Sequence, residues 1–297
     1  MTPLSRRQFL VCGASAGAGL VLAPSLLAAC GGGGNGSGLD LSDINLVQRF
    51  PKDVLTPGRV RLPLSLANED GVIGAGSNIA VPDTLQFVVT DIDDTPLFED
   101  PFIVAGHVTD VPQPYWPVVV TLDQVGIYVV KLVGSNKPGA SFQISDPADV
   151  AVPVVGAPLP VIDTPTNNDP RGVDPVCTRT PDPCPLHDLN LRDALSSGKP
   201  VVYLLGTPAY CRTGTCTPAL DAVLQVRSEV GDSVSIIHGE IYSDSTATTP
   251  ARHVTDYSMT FEPALFITNS EGVLVERLDA IFDAEEVRDA LSRNGIS

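Results

Sequence analysis

Two hydrophobic rhythms divide the chain. Between residues 44 and 146 the apolar positions fall in short, β-rich runs: "RVRLPLSLA", "TLQFVVTDI", "PFIVAGHVT", "YWPVVVTL", "GIYVVKLV" and "ASFQIS". Turn residues separate them, as in "NEDG", "DIDDTP" and "GSNKPG", and helical periodicity is almost absent. Short strands at this spacing predict an antiparallel β-sandwich. Between residues 173 and 297 the elements alternate instead. "DLNLRDALSSG" reads as a short amphipathic helix, with Leu189, Leu191 and Leu195 partly on one side and Gly198 near its end. "PVVYLLG" is a buried strand. "TPALDAVLQVRSEVG" is a helix in which Leu220, Val223, Leu224 and the stem of Arg227 recur at spacings of three and four. Thr217 caps it and Pro218 suits its first position. A second buried strand follows in "SVSIIHGEIY". "PALFITNSEGVLVERL" is a hairpin turning at "NSEG", and "DAEEVRDALSR" is a closing helix whose acidic first turn suits the helix dipole. The expected fold is therefore two-domain: an antiparallel β-sandwich, then an α/β domain.

Recurrent prolines mark the junction at 147–172 (Pro147, Pro153, Pro158, Pro160, Pro165, Pro170), predicting an extended, semi-rigid linker. At the other end, "GGGGNGSG" lies within a flexible tether assigned to 30–43. Residues 1–29 read as a targeting segment, because Arg6 and Arg7 are their only charged side chains and an apolar, small-residue run follows. "SRRQFL" resembles the twin-arginine export motif, with Val11 where a Lys is common. "LAAC" resembles a bacterial lipobox, in which Cys30 becomes the lipidated first residue of the mature chain. The alternative is an uncleaved anchor, since the span is long enough to be considered; its glycines and the stop at Cys30 favour processing. Both readings place the rest of the chain on the extracytoplasmic face of the membrane, in the cell envelope, where disulfides persist.

Charge narrows the partners. The formal net charge is -17, and loss of Arg6 and Arg7 with a signal makes the mature chain more acidic still. Such a surface repels nucleic acid and anionic headgroups. No nucleophile elbow, zinc-protease motif or phosphate loop occurs. In the sandwich, Asp91, Asp93 and Asp94 could bind calcium, but an acidic turn is the simpler reading. His107 stands alone on its strand and reads as structural or exposed.

The chemistry lies in the cysteines and what surrounds them. "PYWPVVVTLDQVGIYVVKL" resembles the late strands of an immunoglobulin-like domain, with Tyr128 in the inward aromatic position. Residues from about Asp188 to Arg293, roughly a third of the chain, resemble a thioredoxin-fold domain. Cys211 and Cys216 stand between its first central strand and the following helix, where that family keeps its dithiol. "EPALFI" matches the segment carrying the family's cis-proline, which maps to Pro263, preceded by Glu262. The domain order is similar to that of actinobacterial thioredoxin-like lipoproteins. The chain departs from the family pattern in three ways. Four residues rather than two separate the cysteines, Tyr210 replaces the usual tryptophan, and "VVYLLG" lacks the family's buried acidic residue. The resemblance implies thiol–disulfide exchange with envelope proteins bearing thiols or disulfides, without a cofactor. Catalysis would use Cys211, Cys216 and Pro263. Cys211 would attack and Cys216 resolve, both from the loop ahead of a helix starting near Pro218.

Cys177 and Cys184, in "CTRTPDPC", read most simply as a structural disulfide pinning the linker, although four cysteines allow three connectivities. Metal is the rival use. Cys184 and His187 have zinc- or copper-like spacing, Cys211 and Cys216 could add thiolates, and His238 and His253 are distant candidates. Copper-delivering proteins of the same fold use two cysteines and a distant histidine. Three functional classes follow: a thiol–disulfide oxidoreductase, a binding or scaffold lipoprotein with permanent disulfides, and a copper carrier. The anchor is testable by itself. Cys30→Ser should release the protein from the membrane fraction and change its mature mass; unchanged attachment at unchanged mass would remove the lipoprotein reading.

Overall fold

The computed structural model describes residues 39–74, 76–109 and 111–297. The expected signal segment, Cys30 and most of the tether lie outside the described residues. The tether's last residues are described, and Leu39 and Leu41 pack against the first core.

Alternation builds most of that first core, although β2 is buried continuously from Val60 to Leu66. One antiparallel sheet joins β1 (Asn45–Gln48), β2 (Gly58–Asn68), β3 (Gly71–Val72) and β6 (Trp116–Leu122), with β2 pairing the other three. A second, in the order β5-β4-β7-β8, joins β4 (Thr84–Asp91), β5 (Phe102–Ala105), β7 (Gly126–Leu132) and β8 (Ala140–Ile144). Every second side chain points inward. Leu62, Leu64, Trp116 and Val118 from the first sheet share one core with Phe87, Val130, Phe142 and Ile144 from the second. Tyr128 joins it as expected. Two sheets around one core form a β-sandwich. Asp91 closes the acidic turn by accepting the backbone N–H of Asp93 and of Thr95.

The second half is a four-stranded mixed sheet with helices on both faces. Its elements are α1 (Leu191–Ser196), β9 (Val201–Leu205), α2 (Cys216–Val230), β10 (Ser235–Gly239), α3 (Arg252–Asp256), β11 (Ala264–Thr268), β12 (Leu274–Asp279) and α4 (Ala284–Arg293). The sheet order is β10-β9-β11-β12, with β10 parallel to β9 and β11 antiparallel to both its neighbours. Burial on both faces explains the continuous apolar runs. Val201, Tyr203 and Leu205 enter one core with residues of α1 and α3. Val202 and Leu204 enter the opposite core with Leu220 and Val223 of α2 and Val287 and Leu291 of α4. Among the described residues no helix is long and apolar enough to cross a membrane.

The proline-rich stretch does not run free. Val152 and Leu159 are buried in the core that holds α1 and α3. Gly156 N–H donates to Leu274 O and Leu159 N–H to Gly272 O, so the stretch lies along the β11–β12 hairpin.

A polar network joins the sandwich to α4. Arg61 of β2 donates Nε and Nη2 to the two Glu286 carboxylate oxygens, at 2.7 and 2.6 Å, and reaches the carbonyls of Asp279 and Ile281. Tyr115 O–H donates to Glu286 at 2.7 Å. His107 takes the structural of its two expected roles and is not alone: its Nδ1 lies 2.5 Å from Asp283, the N-cap of α4. Burial opposes a charged His107, but Asp283 and Glu286 outweigh it and raise its pKa. Removing one member of a buried ion pair strands the other. Glu286→Gln should therefore destabilise the protein by about 3–5 kcal/mol in denaturant unfolding, and Arg61→Met combined with Glu286→Leu should recover much of that loss. Equal stability of Glu286→Gln and wild type would show that the network carries little of the join.

Candidate redox site

The strand–loop–helix unit from β9 to α2 places the first cysteine pair. Entirely buried β9 fixes the loop's start, and residues 206–215 then turn back to α2. The helix begins two residues earlier than Thr217 capping requires. Cys216 is its first residue and Thr215 its N-cap, without a side-chain cap bond. The first intrahelical bond runs from Ala219 N–H to Thr215 O. Pro218 therefore sits where its N–H would be unused anyway, so proline tolerates the earlier start. The two cysteines thus differ in kind: Cys211 belongs to a half-exposed loop, whereas Cys216 is helical and 1 % exposed.

Several donors converge on Cys211. Cys216 N–H lies 3.3 Å from its sulfur, Thr213 Oγ1 3.2 Å and Thr215 Oγ1 3.9 Å. The Cys216 thiol and the Thr215 N–H add to them. The hydrogen bond from Cys216 contributes most, the others follow, and together they outweigh burial; they hold the Cys211 thiol down at about 4. The helix dipole acts in the same direction. Cys216 is pushed up by its hydrogen bond to Cys211, by burial and by the neighbouring charges of Cys211 and Glu262. Glu262 is itself raised, first by burial and then by the charge on Cys211.

Pro263 joins this site through Gly206. The Glu262–Pro263 peptide is cis. A Cβ built on Gly206 would stand 3.7 Å from Cys216 Cβ and 3.8 Å from Pro263 Cβ, so the glycine lies in a narrow gap beside both. Tyr210, the residue before Cys211, donates its O–H to Ser245 O at 2.9 Å. Ala209 N–H donates to Thr178 Oγ1 at 3.1 Å, tying the loop to the segment that carries Cys177.

The second cysteine pair occupies a different environment. All four described cysteines are free thiols, so the expected Cys177–Cys184 bond is not present. Cys177, Cys184, His187 and His238 are all buried, and each offers a sulfur or ring nitrogen within 4.8 Å of the others. His238 turns toward this pair rather than toward Cys211 and Cys216, and its Nε2 meets Gly206 O at 3.0 Å. His253 is not part of the group. Its Nε2 lies 2.8 Å from Glu240 O, and burial holds its pKa down at about 4. Sequence reasoning paired Cys184 with His187 but missed Cys177 as their companion. The apolar context of "SIIHG" was the available sign that His238 points inward. Thr213, Thr215 and Gly206 were missed as parts of the first site.

No protein-family model matches this chain, and no curated protein matches it.

The donor array around Cys211 sets its reactivity. Because the folded thiol titrates at about 4, its alkylation rate should rise through that pH and then stay flat from about pH 6 to 8. An ordinary thiol would gain tenfold per pH unit up to about 8.5. Thr213→Val should move the midpoint up by about one to two units, since a hydrogen bond to a charged group is worth roughly 1.5–3 kcal/mol. A rate still climbing between pH 6 and 8 in wild type would rule out a stabilised thiolate.

Proposed function

We propose that this chain is an extracytoplasmic thioredoxin-like protein, anchored to the membrane through Cys30, that exchanges thiols and disulfides with envelope partner proteins. The observation that carries the reading is the asymmetry of the pair. Cys211 is accessible and held as a thiolate, and Cys216 is buried behind it with its N–H directed at the Cys211 sulfur. The strand order β10-β9-β11-β12, the cysteines at the start of α2 and Pro263 beside Cys216 support the thioredoxin-like assignment. The preceding sandwich, with Tyr128 in its core, supports an immunoglobulin-like domain.

The chemistry runs in two displacements. The Cys211 thiolate attacks one sulfur of a partner disulfide; a mixed disulfide forms and the partner's other sulfur leaves as thiolate. Cys216 then loses its proton and attacks Cys211. The Cys211–Cys216 bond forms, the partner's second thiolate departs, and two electrons have moved from this chain to the partner. The reverse sequence oxidises a partner dithiol. A low-pKa Cys211 is a good leaving group in that direction, because its thiolate is already stabilised. Pro263 has no N–H to donate, which leaves the neighbouring backbone open to an incoming strand.

Trapping tests the assignment. Cys216→Ser should accumulate mixed disulfides with envelope proteins, and Cys211→Ser should accumulate few. If neither variant traps a partner, and neither alters exchange with a model disulfide, the pair is a clasp and the chain a scaffold.

A further inference from the structure

We infer that Cys177, Cys184, His187 and His238 form a closed, structural zinc(II) site, distinct from the exchange pair and independent of the function proposed for it. The four side chains are between 0 and 8 % exposed. His187 Nε2 lies 3.2 Å from His238 Nδ1 and 3.2 Å from Cys184 Sγ. His238 Nδ1 lies 3.4 Å from Cys184 Sγ and 3.9 Å from Cys177 Sγ. An ion held at ~2.3 Å from sulfur and ~2.0–2.1 Å from nitrogen in a tetrahedron needs nitrogen–nitrogen edges of about 3.3 Å and nitrogen–sulfur edges of about 3.6 Å. The observed separations bracket those edges.

Hydrogen bonding alone does not account for the arrangement. Gly206 O can only accept, so His238 Nε2 carries a proton. In the neutral ring Nδ1 then presents a lone pair, and three heteroatoms crowd around it. One lone pair takes one proton, whereas a central cation satisfies all four groups together. The outer contacts of His238 and Cys184 suit a metal site as well, whereas His187 Nδ1 is buried without a hydrogen-bond partner. The carbonyl on His238 Nε2 fixes the ring's tautomer, and Cys184 N–H donates to Cys177 Sγ at 3.3 Å. His238 N–H donates to Leu186 O at 3.1 Å, which holds the stretch from Cys184 to His187 against β10.

Charge and ligand type select the ion. Two thiolates neutralise a divalent cation, so the filled site places no net charge in the interior, and loading requires both sulfurs to be deprotonated. Two sulfurs and two imidazoles in a tetrahedron are a zinc set. Four protein ligands leave no open position, which makes the role structural rather than catalytic. The ion would join the loop of Cys177 and Cys184 to β10, doing the work that a disulfide would do between the two sulfurs alone.

The test uses the full chain, purified without chelator and reduced anaerobically. Equal zinc(II) and copper(I) are then supplied, followed by desalting and metal analysis. One zinc per chain is expected. Cys177→Ser and His238→Asn should lose it, and the double variant Cys211→Ser/Cys216→Ser should keep it. Cobalt(II) added to the reduced wild type should give tetrahedral d–d absorption and thiolate-to-cobalt charge-transfer bands, a readout that survives if the ligand variants fail to fold. Absence of zinc and of the cobalt spectrum would overturn the inference. So would a chain that takes copper in place of zinc, or a Cys177–Cys184 disulfide that, once reduced, leaves thiols unable to bind zinc.

Discussion

A single glycine separates the two cysteine pairs. Gly206 follows β9, its carbonyl receives the Nε2–H of His238, and a Cβ on it would meet Cys216 and Pro263. Both functions asked of the second half meet at this residue. The hydrogen bond fixes how His238 presents Nδ1 to Cys177 and Cys184. The same residue lies beside Cys216 and Pro263, where a Cβ would meet both at ordinary van der Waals distance. A larger residue would push on the start of α2 and on the strand entry at Pro263, since ordinary van der Waals contact is already reached by a Cβ there. Thr178 adds a second tie: its hydroxyl donates to Glu240 and accepts from Ala209 N–H, so the Cys177 segment and the Cys211 loop are held by one side chain. The proposed zinc site would thus brace the floor on which the proposed dithiol works.

The sandwich is attached to this half by buried ion pairs beside apolar contacts, in which Val54 enters the second core and Val111 and Tyr115 meet Ile281. Arg61 is buried, and so it must be paired; Glu286 supplies two oxygens and the end of β12 supplies carbonyls. Glu286 also accepts from Tyr115, and α4 is capped by Asp283, the residue that meets His107. The helix N-terminus is therefore anchored to the sandwich by the same residues that cap it. Rearranging the two halves would have to expose or unpair Arg61, which is costly. The dithiol lies at the start of α2, and α2 packs in one core with α4.

Much of this architecture was legible in the sequence, and the reasons are local. Period-two alternation in "RVRLPLSLA" and "TLQFVVTDI" is a property of a strand, and each run became one, although the first is buried on both faces because Arg61 meets α4. Continuous apolar runs such as "VVYLL" became strands buried on both faces. Asp283 ahead of "AEEV" marked the start of α4. The failures are non-local. Nothing near Cys177 announces His238, sixty-one residues later, because the two meet only after the segment from Cys184 to His187 docks on β10. The start of α2 was misplaced because proline was read as the first helical residue, although any position in the first turn spares its missing N–H. The proline-rich stretch looked like a spacer because composition reports backbone stiffness and not the buried places waiting for Val152 and Leu159.

The four thiols share an element type and differ in fate through their surroundings. Cys211 has hydroxyls and backbone N–H groups around it and access to solvent, so a negative charge is stabilised where a partner can reach it. Cys177 and Cys184 have imidazoles around them and almost no access, so negative charge on both sulfurs would serve only the proposed ion held inside. A thiolate that is exposed and stabilised by neutral donors keeps its lone pairs for a sulfur electrophile. A thiolate that is buried among other lone-pair donors needs a cation to remain charged at all. The five-residue step from Cys211 to Cys216 fits this division. It lets the second cysteine enter the helix while the first stays in the loop, so one sulfur can be presented to a partner while the other waits beneath it.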